Sequence, residues 1–211
     1  MKNKNSATLI LGLVSTFMAS HGYAHHVSSG DLPISFMGGL LSGLAHPVIG
    51  IDHLAFLVLM GAAAAFTPRP LITPLVFVIS TVIGCLIVAA GIAIPMVEII
   101  VTLSVLVGGI MVLSGRRYVS AIYLGLFLFA GVFHGAAYGA QIIGAQTQPL
   151  LAYLIGFACI QYGISVGVSI FMSRASVSSV VPSVQSRLAG AVAAGIGVAL
   201  LIEHIESALV L

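Results

Sequence analysis

The sequence predicts an all-α integral membrane protein of six transmembrane helices, the first broken around His46-Gly50, with the mature N- and C-termini outside the cytoplasm. Three observations carry that prediction. Hydrophobic residues make up 60% of the chain and charged residues 6%, against roughly 25% charged in a soluble domain, so a globule in water could not be covered. The apolar residues gather into segments of membrane-spanning length separated by short turns. Beyond the N-terminus, the basic residues fall only in alternate turns, as the positive-inside rule requires.

The elements follow in order. Lys2 and Lys4 precede a mostly apolar stretch from Ala7 to Ala19, too short to cross roughly 30 Å of hydrocarbon. Gly22-Tyr23-Ala24 then places small residues at the −3 and −1 positions of a cleavage site. This reads as a signal peptide over 1–24 cleaved after Ala24, leaving 25–211 as a single six-helix membrane domain; an uncleaved signal anchor is the alternative. Cleavage would leave His25 and His26 beside a free amine outside the cytoplasm. They form either an outer capture point for a divalent metal or simply a polar start.

The spans are Phe36–Phe66, Leu71–Ile92, Val97–Ser114, Val119–Gln141, Leu150–Met172 and Leu188–Ala208. The first is long for one crossing and contains Pro47 and Gly50. Between the spans lie Thr67-Pro68-Arg69-Pro70, Gly91 to Pro95, Gly115-Arg116-Arg117, Gly144 to Pro149, and a serine-rich stretch from Ser173 to Arg187. With the mature N-terminus outside, Arg69, Arg116, Arg117, Arg174 and Arg187 all face the cytoplasm. Gly39 with Gly43, and Gly131 with Gly135 and Gly139, have the spacing that lets helix backbones approach closely in lipid.

Composition also excludes several activities. Lys2 and Lys4 are the only lysines, so the chain has neither a P-loop lysine nor a mid-membrane Schiff-base lysine. Any transport must run on a gradient, the membrane potential or a partner. The seven basic residues are too scattered for a nucleic-acid face. Cys85 and Cys159 sit singly in apolar runs and read as packing residues.

Ionisable groups at bilayer depth need a reason to be there, since an aspartate at a helix centre costs about 2.5–3.5 kcal/mol. Span one holds His46, Pro47, Gly50, Asp52 and His53. On a regular helix His46 and His53 share a face and Asp52 points about 100° away. Pro47 and Gly50 predict that the helix is not regular, and broken backbone in a membrane is tolerated where it lines a site. Two imidazoles and a carboxylate suit nickel, cobalt, zinc or copper(II), and Asp52 can instead orient a ligating histidine. Span four sets His134, Tyr138 and Gln141 at i, i+4 and i+7. His134 is read as a further ligand, with Tyr138 and Gln141 as supporting or pathway residues; an interhelical hydrogen-bond stripe is the alternative. Glu98 suits the dipole of a first helical turn and is otherwise a pathway candidate. Glu203 and His204 form either an outer loading point or an interfacial pair.

The His46–Leu54 segment and Phe133–Gly139 resemble the HupE/UreJ family of membrane proteins. The first family pattern matches at His46, Pro47, Gly50, Asp52 and His53, and the second at His134, Gly135, Tyr138 and Gly139. The resemblance extends to the signal peptide and the six-span layout. It implies a secondary permease in the bacterial inner membrane that imports nickel or cobalt, with no permanently bound cofactor and no enzymatic activity. Many family members carry a glutamate where this chain has Gln141. A neutral amide supplies no charge to a cation, so that departure bears on metal choice or proton coupling.

Two further classes are weighed against a permease. A b-type cytochrome-like redox protein would pair intramembrane histidines on haem, which leaves Asp52 without a role. An intramembrane metallohydrolase would need a general base that no motif here supplies. A membrane subunit whose polar residues only bind helices together is the residual reading.

Overall fold

The computed structural model describes residues 32–175 and 184–210. The expected signal peptide at 1–24, and with it His25 and His26, lies outside the described residues. The described residues are all-helical: α1 Phe36–Ile49, α2 Ile51–Ala64, α3 Thr73–Ala89, α4 Val97–Leu113, α5 Ser120–Ala140, α6 Thr147–Ala175 and α7 Val184–Val210.

Three helices, α5, α6 and α7, are each long and apolar enough to cross a membrane, and α1 with α2 passes the same test as a pair bent by 78°. The remaining two, α3 and α4, have 17 residues each, about 25 Å of helix and the short end of spanning length. Their outer faces are apolar as well, with Ile79, Ile83, Val107 and Ile110 exposed, as are Ile155 and Phe171 on α6. A bundle with this exterior is a multi-pass membrane protein. The helix ends differ slightly from the sequence expectation. Left-handed glycines at Gly91 and Gly115 close α3 and α4, and Gly144, also left-handed, sits in the turn after α5, as glycine does where a Cβ would be strained. By contrast Pro149 begins no break: it lies in the first turn of α6, where its missing N–H has no helical partner to lose.

The first span breaks at Gly50. Pro47 lacks a donor and crowds the carbonyl one turn back, yet α1 persists to Ile49. Gly50 then takes an extended conformation, φ −72° and ψ 111°, and α2 restarts at Ile51. From Ala55 to Ala64 nearly every residue of α2 is buried, the pattern of a helix enclosed on all sides. It is the axis of the bundle and touches every other helix.

Around it stand three tightly packed pairs, α1 with α6, α3 with α5, and α4 with α7. Glycines make the close approach possible. A Cβ at Gly135 would run into the Thr81 carbonyl, one at Gly84 into that of Val132, and one at Gly43 into that of Tyr153. The two glycine rows legible in the sequence are therefore packing surfaces. Contacts also give direction: residues near 77, 81 and 85 meet Gly131, Gly135 and Gly139, so α3 and α5 run parallel. Gly109 meets Ala194 while Gly197 meets Leu106, so α4 and α7 run antiparallel.

Candidate metal-binding site

The break in the first span places the N-terminus of α2 inside the bundle, where its first N–H groups have no helical partner. Asp52 lies in that first turn, and its Oδ1 accepts the backbone N–H of His53 at 2.8 Å. A carboxylate there also faces the positive end of the helix dipole. Gly50 makes the room: a Cβ on it would lie 2.7 Å from Cδ2 of His53 and 3.2 Å from Oδ1 of Asp52. Both side chains fold back over the break because nothing occupies that space.

His53 reaches across to α5, where its Nδ1 lies 2.9 Å from Nδ1 of His134. The other nitrogen of His134, Nε2, lies 2.9 Å from Ser104 Oγ on α4. Ser104 Oγ also lies 2.7 Å from the Val101 carbonyl, so its one hydrogen has two acceptors in reach, that carbonyl and His134 Nε2. The position of that hydrogen sets the order along the chain. With Ser104 bonded to Val101, neutral His134 donates from Nε2 and His53 donates from Nδ1. With Ser104 bonded to His134, His53 carries its hydrogen on Nε2, 4.0 Å from Asp52 Oδ1. In either order an imidazole nitrogen and a carboxylate are presented side by side. Asp52 keeps 28% of its side chain exposed, whereas His134 is 0% exposed.

His46 is held differently. Its Nδ1 lies 2.9 Å from the hydroxyl of Tyr153 on α6, and its ring centroid lies 6.3 Å from that of His53 across the break. Tyr138 packs against both imidazoles, at 4.9 Å from His46 and 4.2 Å from His53. Its hydroxyl is buried and has no hydrogen-bond partner. Leaving such a group unsatisfied costs about 1–3 kcal/mol. Phe56 and Phe77 close the far side of His134, at 4.6 and 5.5 Å.

The structure thus gathers His46, Asp52, His53, His134 and Tyr138 from three helices. Among the described residues, no group of three or more His, Cys, Asp or Glu side chains is disposed to hold a metal ion as it stands. Two imidazole nitrogens sharing an ion at roughly 2.0–2.1 Å per bond stand about 3 Å apart at a right angle and about 3.4 Å apart at a tetrahedral one. The 2.9 Å pair is close to that separation but shares a hydrogen between its nitrogens, so an ion there must displace that hydrogen, or use the other nitrogens. A porphyrin fits less well still. Between His53 and His134 there is no gap for its plane, and Tyr138, Phe56 and Phe77 fill the surrounding space.

The remaining sequence candidates lie elsewhere. Gln141 does not continue the buried stripe of His134 and Tyr138. Helix α5 ends at Ala140, and Gln141 is exposed in the turn that follows. Glu98 is exposed in the first turn of α4, and Glu203 is exposed on α7. His204 Nε2 lies 3.1 Å from Thr102 Oγ1, a bond tying α7 to α4.

Three partners escaped the sequence reading: Ser104, Tyr153 and Gln161. Ser104 and Tyr153 are unremarkable inside apolar runs and gave no signal. Gln161 could have been found, because Gln161, Ser165 and Ser169 recur every fourth residue in a long apolar helix. All three are 0% exposed.

A family model described as "HupE / UreJ protein" matches residues 26–200, which include both histidine segments. Protein HupE of Rhizobium leguminosarum bv. viciae is 32% identical over 124 residues, covering 56% of this chain and 62% of that protein. The alignment thus spans less than two thirds of the relative. No solved structure matches.

Proposed function

The chain belongs to the HupE/UreJ family, and on that footing we propose that it is a secondary permease importing nickel or cobalt across the bacterial inner membrane. The observation that carries this reading is the pairing at the helix break: the Asp52 carboxylate beside Nε2 of His53, with His134 behind it. One oxygen and one nitrogen donor suit Ni²⁺ or Co²⁺ and do not distinguish them. His46 and Tyr138 stand close enough to complete a ligand set once the His53–His134 bond opens. An inside-negative potential favours entry by about 2.3 kcal/mol per charge per 100 mV, twice that for a divalent ion.

Six crossings are the topology this reading requires, and the helix contacts support it. Along the bent pair, Gly39 lies beside Pro149, Gly43 beside Tyr153 and Gly61 beside Ser165 and Val168. The pair therefore advances along α6 in one direction; a re-entrant loop would turn back. Counted as one crossing, it makes α3 and α5 the second and fourth and α4 and α7 the third and sixth, which matches their parallel and antiparallel packing. The arginine ends also meet. Arg187 donates to the Leu113 carbonyl at 3.1 Å, and Ser169 donates to Pro70 at 3.4 Å. With those ends in the cytoplasm, the positive-inside rule holds throughout.

The test is uptake of radioactive nickel and cobalt, each alone and in competition, in cells expressing the chain or its His46→Ala and Asp52→Ala variants. Uptake above background that both substitutions abolish is the expected result. Equal uptake with and without Asp52 would remove the permease site from this place.

A further inference from the structure

Gln161 is held in one orientation, and that orientation leaves an oxygen over. Its Nε2 lies 3.3 Å from Thr81 Oγ1 and 3.1 Å from the Phe157 carbonyl. Thr81 donates its own hydrogen to the Val78 carbonyl at 2.7 Å, so it can only accept from Gln161. A flipped amide would set Oε1 against two acceptors. The amide is therefore fixed with both N–H groups engaged, and Oε1 is buried with no partner.

The residues that hold this amide also border the histidine site. The Thr81 carbonyl lies against Gly135, next to His134, and Phe157, one turn from Gln161, packs on Tyr138 at 4.7 Å. On the other side of Gln161 the same face of α6 continues with Ser165, whose hydrogen goes to the Gln161 carbonyl at 2.7 Å, and then with Ser169. Ser165 therefore keeps lone pairs for the bundle interior. Successive members are about 6 Å apart along the helix. The row runs from the site toward the end of the bundle that carries Arg69 and Arg174. Oxygens offering lone pairs are what a cation can use, and a buried carbonyl oxygen without a donor is costly until a cation or another donor meets it.

We propose that the side-chain oxygen of Gln161 is an inner transfer site for the divalent cation, the first oxygen it meets on leaving the histidines along α6. The proposal rests on the permease reading above.

The test uses the full-length protein in proteoliposomes loaded with a metal-responsive dye, with cobalt(II) chloride outside and cadmium as competitor. Gln161→Met replaces the oxygen by a soft thioether of similar reach. The expected result is a maximal rate about tenfold lower at a nearly unchanged half-saturating concentration, with cadmium competing at concentrations about fivefold lower. Gln161→Glu should hold cobalt more tightly, lowering both the maximal rate and the half-saturating concentration. Wild-type transport by both variants overturns the inference. So does slower transport in both with an unchanged cadmium ranking and half-saturating concentration, the sign of a structural role alone. If Gln161→Met does not fold, the glutamate variant decides. Absence of cobalt transport by the unaltered protein overturns the permease reading and this inference with it.

Discussion

His53 and His134, 81 residues apart in sequence, meet Nδ1 to Nδ1 at 2.9 Å, and Ser104 behind His134 sets the direction of the hydrogen between them. Ser104→Ala would leave Nε2 of a fully buried imidazole without its partner, at a cost of about 1–3 kcal/mol. It would also release the order of hydrogens along His134 and His53. A lower thermal midpoint in detergent and a several-fold loss of metal uptake are expected, both restored by Ser104→Thr. A Ser104→Ala protein with unaltered uptake would show that the tautomer does not matter to transport.

Gly50 matters for the space beside it and not for its backbone angles. At φ −72° and ψ 111° any L-residue is comfortable. Yet a Cβ would press on His53 at 2.7 Å. Gly50→Ala should therefore fold with unchanged helix content by circular dichroism while losing uptake about tenfold or more. Unchanged uptake would mean that His53 can turn aside and still serve.

The glycines divide into packed and open ones. A Cβ at Gly135 would overlap the Thr81 carbonyl, whereas Gly163 has nothing within 4 Å. Gly135→Ala must push α3 and α5 apart, at a cost of about 1–3 kcal/mol or more. Gly163→Ala should be neutral or stabilising by up to about 1 kcal/mol from helix propensity. Unfolding of the two variants in detergent compares them directly; equal stability would contradict the α3–α5 contact.

Tyr138 makes the sharpest separation between stability and function. Its buried hydroxyl has no partner, so Tyr138→Phe removes an unsatisfied group and should raise stability by up to about 1–3 kcal/mol. If that hydroxyl is kept for the substrate, uptake falls in the same variant. Tyr153→Phe should do the opposite to stability, because its hydroxyl holds His46 at 2.9 Å. Thermal midpoints and uptake of both variants test the pair, and a less stable Tyr138→Phe protein would show that the hydroxyl does have a partner.

Much of the architecture was legible because it depends on quantities each residue carries alone. The excess of apolar over charged residues requires a membrane. Proline's missing donor and glycine's freedom put a break near His46-Gly50, and the structure places it at Gly50. Intramembrane ionisable residues are costly wherever they sit, so His46, Asp52, His53 and His134 stood out unaided, and the structure brings them together. What the sequence could not determine was who meets whom. The stripe expected from His134 to Gln141 stopped short because α5 ends at Ala140 and the following turn leaves Gln141 exposed. His204 found Thr102, and Gln161 found Thr81, across helix contacts set by crossing and rotation. Those depend on glycine-backed surfaces of helices far apart in the chain, and the partner of a buried polar group follows from them. Sequence alone therefore marked which residues need a reason to be in the membrane; the packing of the helices decided which atoms they face.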